Sequence, residues 1–309
     1  MVSTTLRTKL TPVRYPGGKS NALPFLKEYL PVDYAEWREP FFGGGSVGLF
    51  QMQRNKTATY WINDLFYPVY CFWNIVYHNP EAMVVTLLEG KRAFPNKEEG
   101  RALHKDMRTR IIEYINAQDE LSTACAWYVL NKTSYSGLAM AGSYAPLAWD
   151  QNFTENCIIR LPRISLLMHS VRSVKITNLD YTELLSNTGE NVFVFLDPPY
   201  AIRHNLYGDV QGAMHRNFNH EEFALAIQAC QHRWTITYNA SQEIKDRFSK
   251  YQQREWQLTY TMKAAKRLEG DRAKVKGVGG ARQSDKTGKC GKELLVWNWE
   301  GETYPVVKA

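Results

Sequence analysis

The chain has 309 residues, 44% apolar and 22% charged, and its 38 lysines and arginines outnumber 31 acidic residues to leave a formal net charge of +7. This excludes a disordered, collagen-like or membrane-embedded chain, and the length suits one large α/β domain with an insertion or two smaller domains. No apolar run approaches the roughly 18 residues of a membrane helix, Met1 to Leu10 lacks a signal-peptide core, and Cys71, Cys125, Cys157, Cys230 and Cys290 show no metal or disulfide spacing. A soluble cytoplasmic protein without a structural metal is expected, and the excess positive charge favours an anionic partner.

In chain order, Tyr34 to Glu39 reads as a strand running into a glycine-rich turn, with a helix from about Ser46. Thr57 to Ile62 repeats the strand pattern and ends at Asn63 and Asp64. From about Leu65 to Leu161 the period is helical, clearest at Leu103, Met107, Ile111 and Ile115 on one helix face. Strand patterns return at Val174 to Leu179, Asn191 to Leu196 and Trp234 to Tyr238, with a helical run from Asn219 to Gln231. The alternation predicts an α/β fold with a largely parallel sheet, its core formed by residues 1–68 and 161–309 and interrupted by a helical insertion over 69–160. Ligands of such sheets bind at the carboxyl ends of the strands, where Gly43, Gly45, Asp64, Asp180 and Asp197 fall.

Three constellations carry chemistry. The first is Glu39-Pro-Phe-Phe-Gly-Gly-Gly-Ser46, whose glycines permit close backbone approach to a ligand. Asp64 follows about 20 residues on, where a carboxylate can accept both hydroxyls of a ribose. The second, Arg14-Tyr-Pro-Gly-Gly-Lys-Ser20, ends like a phosphate loop but has Val13 where that loop needs glycine. Its lysine can instead neutralise a carboxylate and its tyrosine can pack on a ligand. The third is Asp197-Pro198-Pro199-Tyr200, directly after an apolar strand. A carboxylate and a proline carbonyl aimed into one pocket can take both hydrogens of an exocyclic amine, and Tyr200 offers a face for a flat base. The bland alternative for this tetrapeptide is a rigid exit turn with Asp197 as a helix cap.

With these motifs in this order, the chain resembles the Dam-type (D12 class, α group) DNA adenine-N6 methyltransferases. Leu130-Asn-Lys-Thr-Ser-Tyr-Ser-Gly-Leu138 and Lys292-Glu-Leu-Leu-Val296 extend the resemblance over nearly the whole chain. It implies a Rossmann-like methyltransferase core that transfers a methyl group from S-adenosyl-L-methionine to a flipped adenine in double-stranded DNA, with no obligate protein partner. Cofactor contacts would fall on Tyr15, Lys19, Phe41, Gly43, Gly45, Asp64, Asp180, Tyr181 and Asp197. Asp197, Pro198, Pro199 and Tyr200 would hold the adenine.

By the same resemblance the insertion would recognise the target, through a DNA-reading hairpin near 133–153 and through Asn131, Tyr135, Ser136 and Leu138. Met140 stands where family members that read GATC carry an arginine, so GATC specificity is not expected. Arg14 is a second candidate reader. Cytosine-N4 or RNA adenine methylation, glutamine methylation of a protein, and a catalytically idle DNA-binding protein are the competing readings.

The +7 itself is concentrated. Residues 263–292 hold ten lysines or arginines, among them Lys263, Lys266, Arg267, Arg272, Lys274 and Lys276, against Glu269, Asp271 and Asp285. Beside a methyltransferase site this segment is expected to grip DNA phosphates.

Overall fold

A computed structural model describes residues 10–200, 218–259 and 290–303. The 14–20 loop leads into α1 (Leu23–Leu26), β1 (Glu36–Glu39), α2 (Ser46–Arg54) and β2 (Thr59–Asn63). Seven helices follow: α3 (Tyr67–His78), α4 (Pro80–Ala93), α5 (Lys97–Asn116), α6 (Glu120–Thr133), α7 (Pro146–Asn152), α8 (Glu155–Ile158) and α9 (Leu161–His169). The chain then returns to strand–helix alternation with β3 (Ser173–Thr177), α10 (Tyr181–Ser186), β4 (Val192–Leu196), α11 (His220–Ala229), β5 (Arg233–Asn239), α12 (Gln242–Arg247), β6 (Gln252–Thr259) and β7 (Cys290–Trp297).

Local chemistry starts the helices where they start. Pro68, Pro80, Pro146 and Pro162 occupy the first turns of four of them, where a missing N–H removes no intrahelical bond. Asn96, Asp119 and Asn219 cap α5, α6 and α11 by accepting backbone N–H groups. The period-four stripe of α5 faces inward as its spacing predicts: Leu103 and Ile111 are buried, and Met107 and Ile115 pack against the same core.

The described strands form one sheet in the order β3-β2-β1-β4-β5-β7-β6. The first five run parallel, and β7 enters antiparallel between β5 and β6. The order reverses between β1 and β4, which opens a crevice beyond their carboxyl ends. Strand β4 is buried at all five positions. Phe193 and Phe195 pack with Trp37 on one face, while Val194 and Leu196 meet Phe223, Ile227 and Ile236 on the other. Every strand expected from the sequence is present, with ends shifted by one or two residues. Strand β6 was not expected, because its edge position leaves Gln252, Arg254, Glu255 and Gln257 in place of an apolar alternation.

The helical segment packs on the sheet, and one expectation about its 133–153 stretch needs correction. Trp73, Trp127 and Trp149 belong to the same apolar core as Trp37 and Phe193, and α3 begins at Tyr67 and packs on α6, α9 and β3. Among the described residues the helical segment therefore shares the core of the sheet. Residues 133–153 do not make a hairpin. The chain takes single 3-10 turns at Tyr135–Gly137 and Ala139–Ala141, joined only by an isolated bridge between Ser134 and Tyr144, and then enters α7. Positive φ at Ser136 (53°), Gly137 (74°) and Ala139 (47°) curls this backbone too tightly for paired strands. Among the described residues no helix is long and apolar enough to cross a membrane.

One buried side chain ties the helical layer to the 14–20 loop. The Asn131 Oδ1 accepts the Arg14 N–H at 3.0 Å, and its Nδ2 donates to the carbonyls of Arg14 (2.7 Å) and Gly137 (3.0 Å). Asn131 is fully buried, so Asn131→Ala strands several polar groups away from water. The variant should lose ~3 kcal/mol of unfolding free energy in urea titrations, from two or more unsatisfied groups at about 1–3 kcal/mol each.

Candidate active site

The strand ends at the crevice are welded together by Asn63, the last residue of β2. Its Nδ2 donates to the carbonyls of Pro40 (3.0 Å) and Leu179 (2.9 Å), and its Oδ1 accepts from Leu179 N–H and Thr177 Oγ1, both at 2.8 Å. The turns after β1, β2 and β3 are thereby fixed against one another. Asp64 then braces two of them, accepting Gly43 N–H at 2.8 Å and Phe66 N–H at 2.9 Å. Burial pushes its carboxyl up to about 6, against the pull of those two N–H bonds.

Glycine is required in the β1 turn. Gly43 and Gly45 adopt φ of +46° and +67°, and a Cβ on Gly43 would come within 2.7 Å of the Tyr15 ring. Tyr15 thus lies directly on the turn, bringing the 14–20 loop to the crevice. Next to it, buried Lys19 donates to the Gly17 carbonyl at 2.8 Å and pairs with Asp197 Oδ2 at 2.7 Å. The other carboxylate oxygen of Asp197 accepts from Thr237 Oγ1 at 2.7 Å. Tyr200 leaves the same strand end, stacks on Tyr238 at 5.7 Å and donates its hydroxyl to Glu293 at 2.5 Å.

Between these groups lies a cavity of about 690 Å³. It brings together most of the residues expected to act: Tyr15, Lys19, Phe41, Gly43, Gly45, Asp64, Asp180, Tyr181, Asp197, Pro198 and Pro199 all line it. One end is walled by Phe41 with Tyr181 at 5.5 Å and Phe218 at 5.8 Å, flanked by the carboxylates of Asp64 and Asp180. The opposite chemistry, an ion pair beside a tyrosine ring, is supplied by Lys19, Asp197 and Tyr200, with Lys19 Nζ 5.0 Å from the ring centroid. An aromatic wall with acceptors for hydroxyls at one end and a carboxylate at the other suits a nucleoside-containing ligand of moderate size.

The residues expected to read DNA divide. Tyr135 is 43% exposed, and Ser136 and Leu138 are partly exposed. Asn131 and Met140 are both buried, Asn131 with its amide spent on backbone groups and Met140 inside the apolar core. Arg14 is partly buried and donates to the Ser134 carbonyl at 3.1 Å. Lys263, Lys266, Arg267, Arg272, Lys274 and Lys276 lie outside the described residues.

Other site residues carried no role in the sequence reading. Glu39 heads the glycine motif and lines the cavity. It is buried beneath α2 and bonded to Trp37 Nε1 at 3.1 Å, and burial raises its carboxyl well above the usual carboxylate range. Glu293 was legible as a lone carboxylate in an apolar strand, whereas nothing in the sequence marks Thr237.

A family model for the D12 class N6 adenine-specific DNA methyltransferases matches residues 15–262. The chain belongs to this family. It is 24% identical over 199 residues to the type II methyltransferase M.MjaIII of Methanocaldococcus jannaschii, covering 61% of this chain and 68% of the relative. Type II methyltransferase M1.LlaDCHI of Lactococcus lactis subsp. cremoris is 24% identical over 192 residues, 60% of this chain and 64% of the relative. Type II methyltransferase M.CviBI of Paramecium bursaria Chlorella virus NC1A is 20% identical over 263 residues, 84% of this chain and 94% of the relative. The chain is a site-specific DNA adenine methyltransferase with a Rossmann-like α/β core.

The glycine turn of this methyltransferase yields a stability contrast. In Gly45→Ala the new Cβ meets Phe42 at 2.8 Å and Trp73 at 2.9 Å at a positive φ, and the loss should be ~2 kcal/mol or more. In Gly90→Ala, inside α4, the nearest atom is Leu103 Cδ2 at 3.8 Å, and about 1 kcal/mol should be gained. Denaturant unfolding of the two variants beside the parent checks both signs.

Proposed function

We propose that this methyltransferase uses S-adenosyl-L-methionine to methylate N6 of an adenine swung out of double-stranded DNA, with Asp197, Pro198 and Tyr200 as the groups that receive the base. The observation that carries this reading is the position of Asp197. It follows β4 directly at the crevice and shares one cavity with Asp64 and the Phe41–Tyr181 wall. The cofactor fits the donor set there: Asp64 would accept the ribose hydroxyls, the cluster of Phe41, Tyr181 and Phe218 would give the purine an apolar wall to pack on, and Asp180 borders that wall. Bound, it supplies an electrophilic methyl group on a sulfonium, whose departure leaves a neutral thioether.

The protein's part is positioning. The lone pair of adenine N6 is delocalised into the ring, and two acceptors on its hydrogens draw the nitrogen toward tetrahedral geometry. Asp197 and the Pro198 carbonyl provide them, so the lone pair is aimed at the methyl group. Both oxygens of Asp197 are engaged, one by Lys19 and one by Thr237. A carboxylate has lone pairs to spare, so an incoming amine donates to Asp197 while Lys19 and Thr237 keep the group charged and oriented. As the N–C bond forms, N6 sheds a proton to Asp197. Tyr200 stacks on the base, which also offsets its loss of stacking in the duplex. Exposed Tyr135 beside Ser136 and Leu138, together with the basic segment 263–292, supplies the DNA contacts. The designation of all three relatives as type II methyltransferases supports a role in restriction-modification.

Tritium transfer from labelled S-adenosylmethionine to DNA from methylation-free cells tests the reading. Asp197→Ala should abolish incorporation while cofactor affinity in calorimetry stays within about threefold; equal loss of both overturns the division of roles.

Asp64 makes affinity depend on pH. Its carboxyl titrates at about 6, and only the ionised form accepts both hydroxyls. Affinity should therefore hold from pH 8 to 7 and weaken up to tenfold per pH unit as pH falls through 6. Asp64→Asn should flatten that profile at a weaker affinity, and an unchanged profile would remove Asp64 from the cofactor contacts.

A further inference from the structure

Glu293 lies in β7, opposite Asn239 of β5 on one side and Trp256 of β6 on the other, and is only 2% exposed. Its strand neighbours Leu294, Leu295 and Val296 are buried and apolar. A carboxylate in such a strand is costly unless a donor meets it. Tyr200 supplies one, its hydroxyl 2.5 Å from Glu293 Oε2.

The same tyrosine is constrained at its ring. Tyr238 stacks on it with planes 19° apart, and Tyr238 in turn meets His220 at the start of α11 through its hydroxyl. A tyrosine on a loop retains rotation about two side-chain bonds. Stacking restricts its tilt but leaves sliding and spinning, whereas a tether at the far end of the ring removes both. A ring that must meet a base face to face needs its plane fixed to within about 10–20°.

We infer that Glu293 is a positioning residue for Tyr200, holding the ring in the plane that the target base meets. The inference rests on the proposal that Tyr200 packs against the adenine. It assigns a part of base capture to the antiparallel strand β7, which inserts beside β5 and contributes nothing to the lining of the cofactor cavity. Loss of the tether should therefore slow transfer without touching cofactor affinity.

The test is a double-mutant cycle on the full chain, with tritiated S-adenosylmethionine and genomic DNA from methylation-free cells at saturation. Tyr200→Phe and Glu293→Leu should each lower kcat about tenfold, and the double variant should lose no more than either alone. Glu293→Gln, whose side-chain carbonyl still accepts the hydroxyl, should stay within about threefold of the parent. Calorimetric affinity for S-adenosylmethionine should be the same throughout, which also reports folding. Losses that multiply in the double variant, or parental kcat in Glu293→Leu, overturn the role. Should Glu293→Leu fail to fold, Tyr200→Phe decides, since a kcat within about twofold of the parent means that the tether holds nothing transfer needs. A parent chain that binds the cofactor but labels no DNA overturns the underlying reading, and the positioning role with it.

Discussion

Asp197 follows five buried strand residues, so its charge has to be met where it stands, and Lys19 meets it at 2.7 Å. Much of the site's construction follows from that pair. The lysine is itself buried, and a buried ammonium requires its partner as strictly as the carboxylate does. If the 14–20 loop left the crevice, Asp197 would lose its counter-charge, so the ion pair holds the loop in place. Tyr15 travels with Lys19, and its ring fills the space that a side chain on Gly43 would occupy, so the ion pair also seats the glycine turn. A motif that reads like a phosphate loop in fact serves as the counter-charge of a carboxylate 178 residues away.

The constraint continues into the helical layer. Arg14, the first residue of that loop motif, is gripped through its backbone by Asn131 at the end of α6, and its guanidinium reaches the Ser134 carbonyl. Asn131 also holds Gly137, whose own conformation, with φ of +74°, presses the turn against Arg14. The Ser134–Gly137 turn, with exposed Tyr135 at its start, is thus connected to Lys19 through five residues of chain. The place of this turn and the place of the Asp197 ion pair are therefore set by one continuous run of packed polar contacts.

The strongly periodic parts of this architecture were legible in the sequence. The five parallel strands announce themselves as short apolar runs ended by Gly, Pro, Asn or Asp, and α5 by its stripe from Leu103 to Ile115. The motifs that line the cavity were legible because glycines and prolines at strand ends are punctuation, and Asp64 and Asp197 follow strands directly. Strand β6 was not, since an edge strand needs few apolar residues. The absence of a hairpin at 133–153 was not legible either, because it is set by positive φ at Ser136 and Ala139, residues with no intrinsic preference for it. Thr237 lay beyond sequence reasoning altogether, as a threonine in a buried strand becomes significant only when the neighbouring strand ends in an acid.

Burial also relocates the question of sequence specificity. By the resemblance Met140 stands where members that read GATC carry an arginine, and that difference alone would suggest a reader without its donor. Its 2% exposure says more: the position has become part of the apolar core, and an arginine returned there would need its own counter-charge. Among the described residues that the resemblance nominates as readers, Tyr135 is the most exposed. A tyrosine offers one hydroxyl and a flat face in place of the five donors of a guanidinium. Readout built on such a side chain would depend more on shape and stacking than on a bidentate contact to guanine.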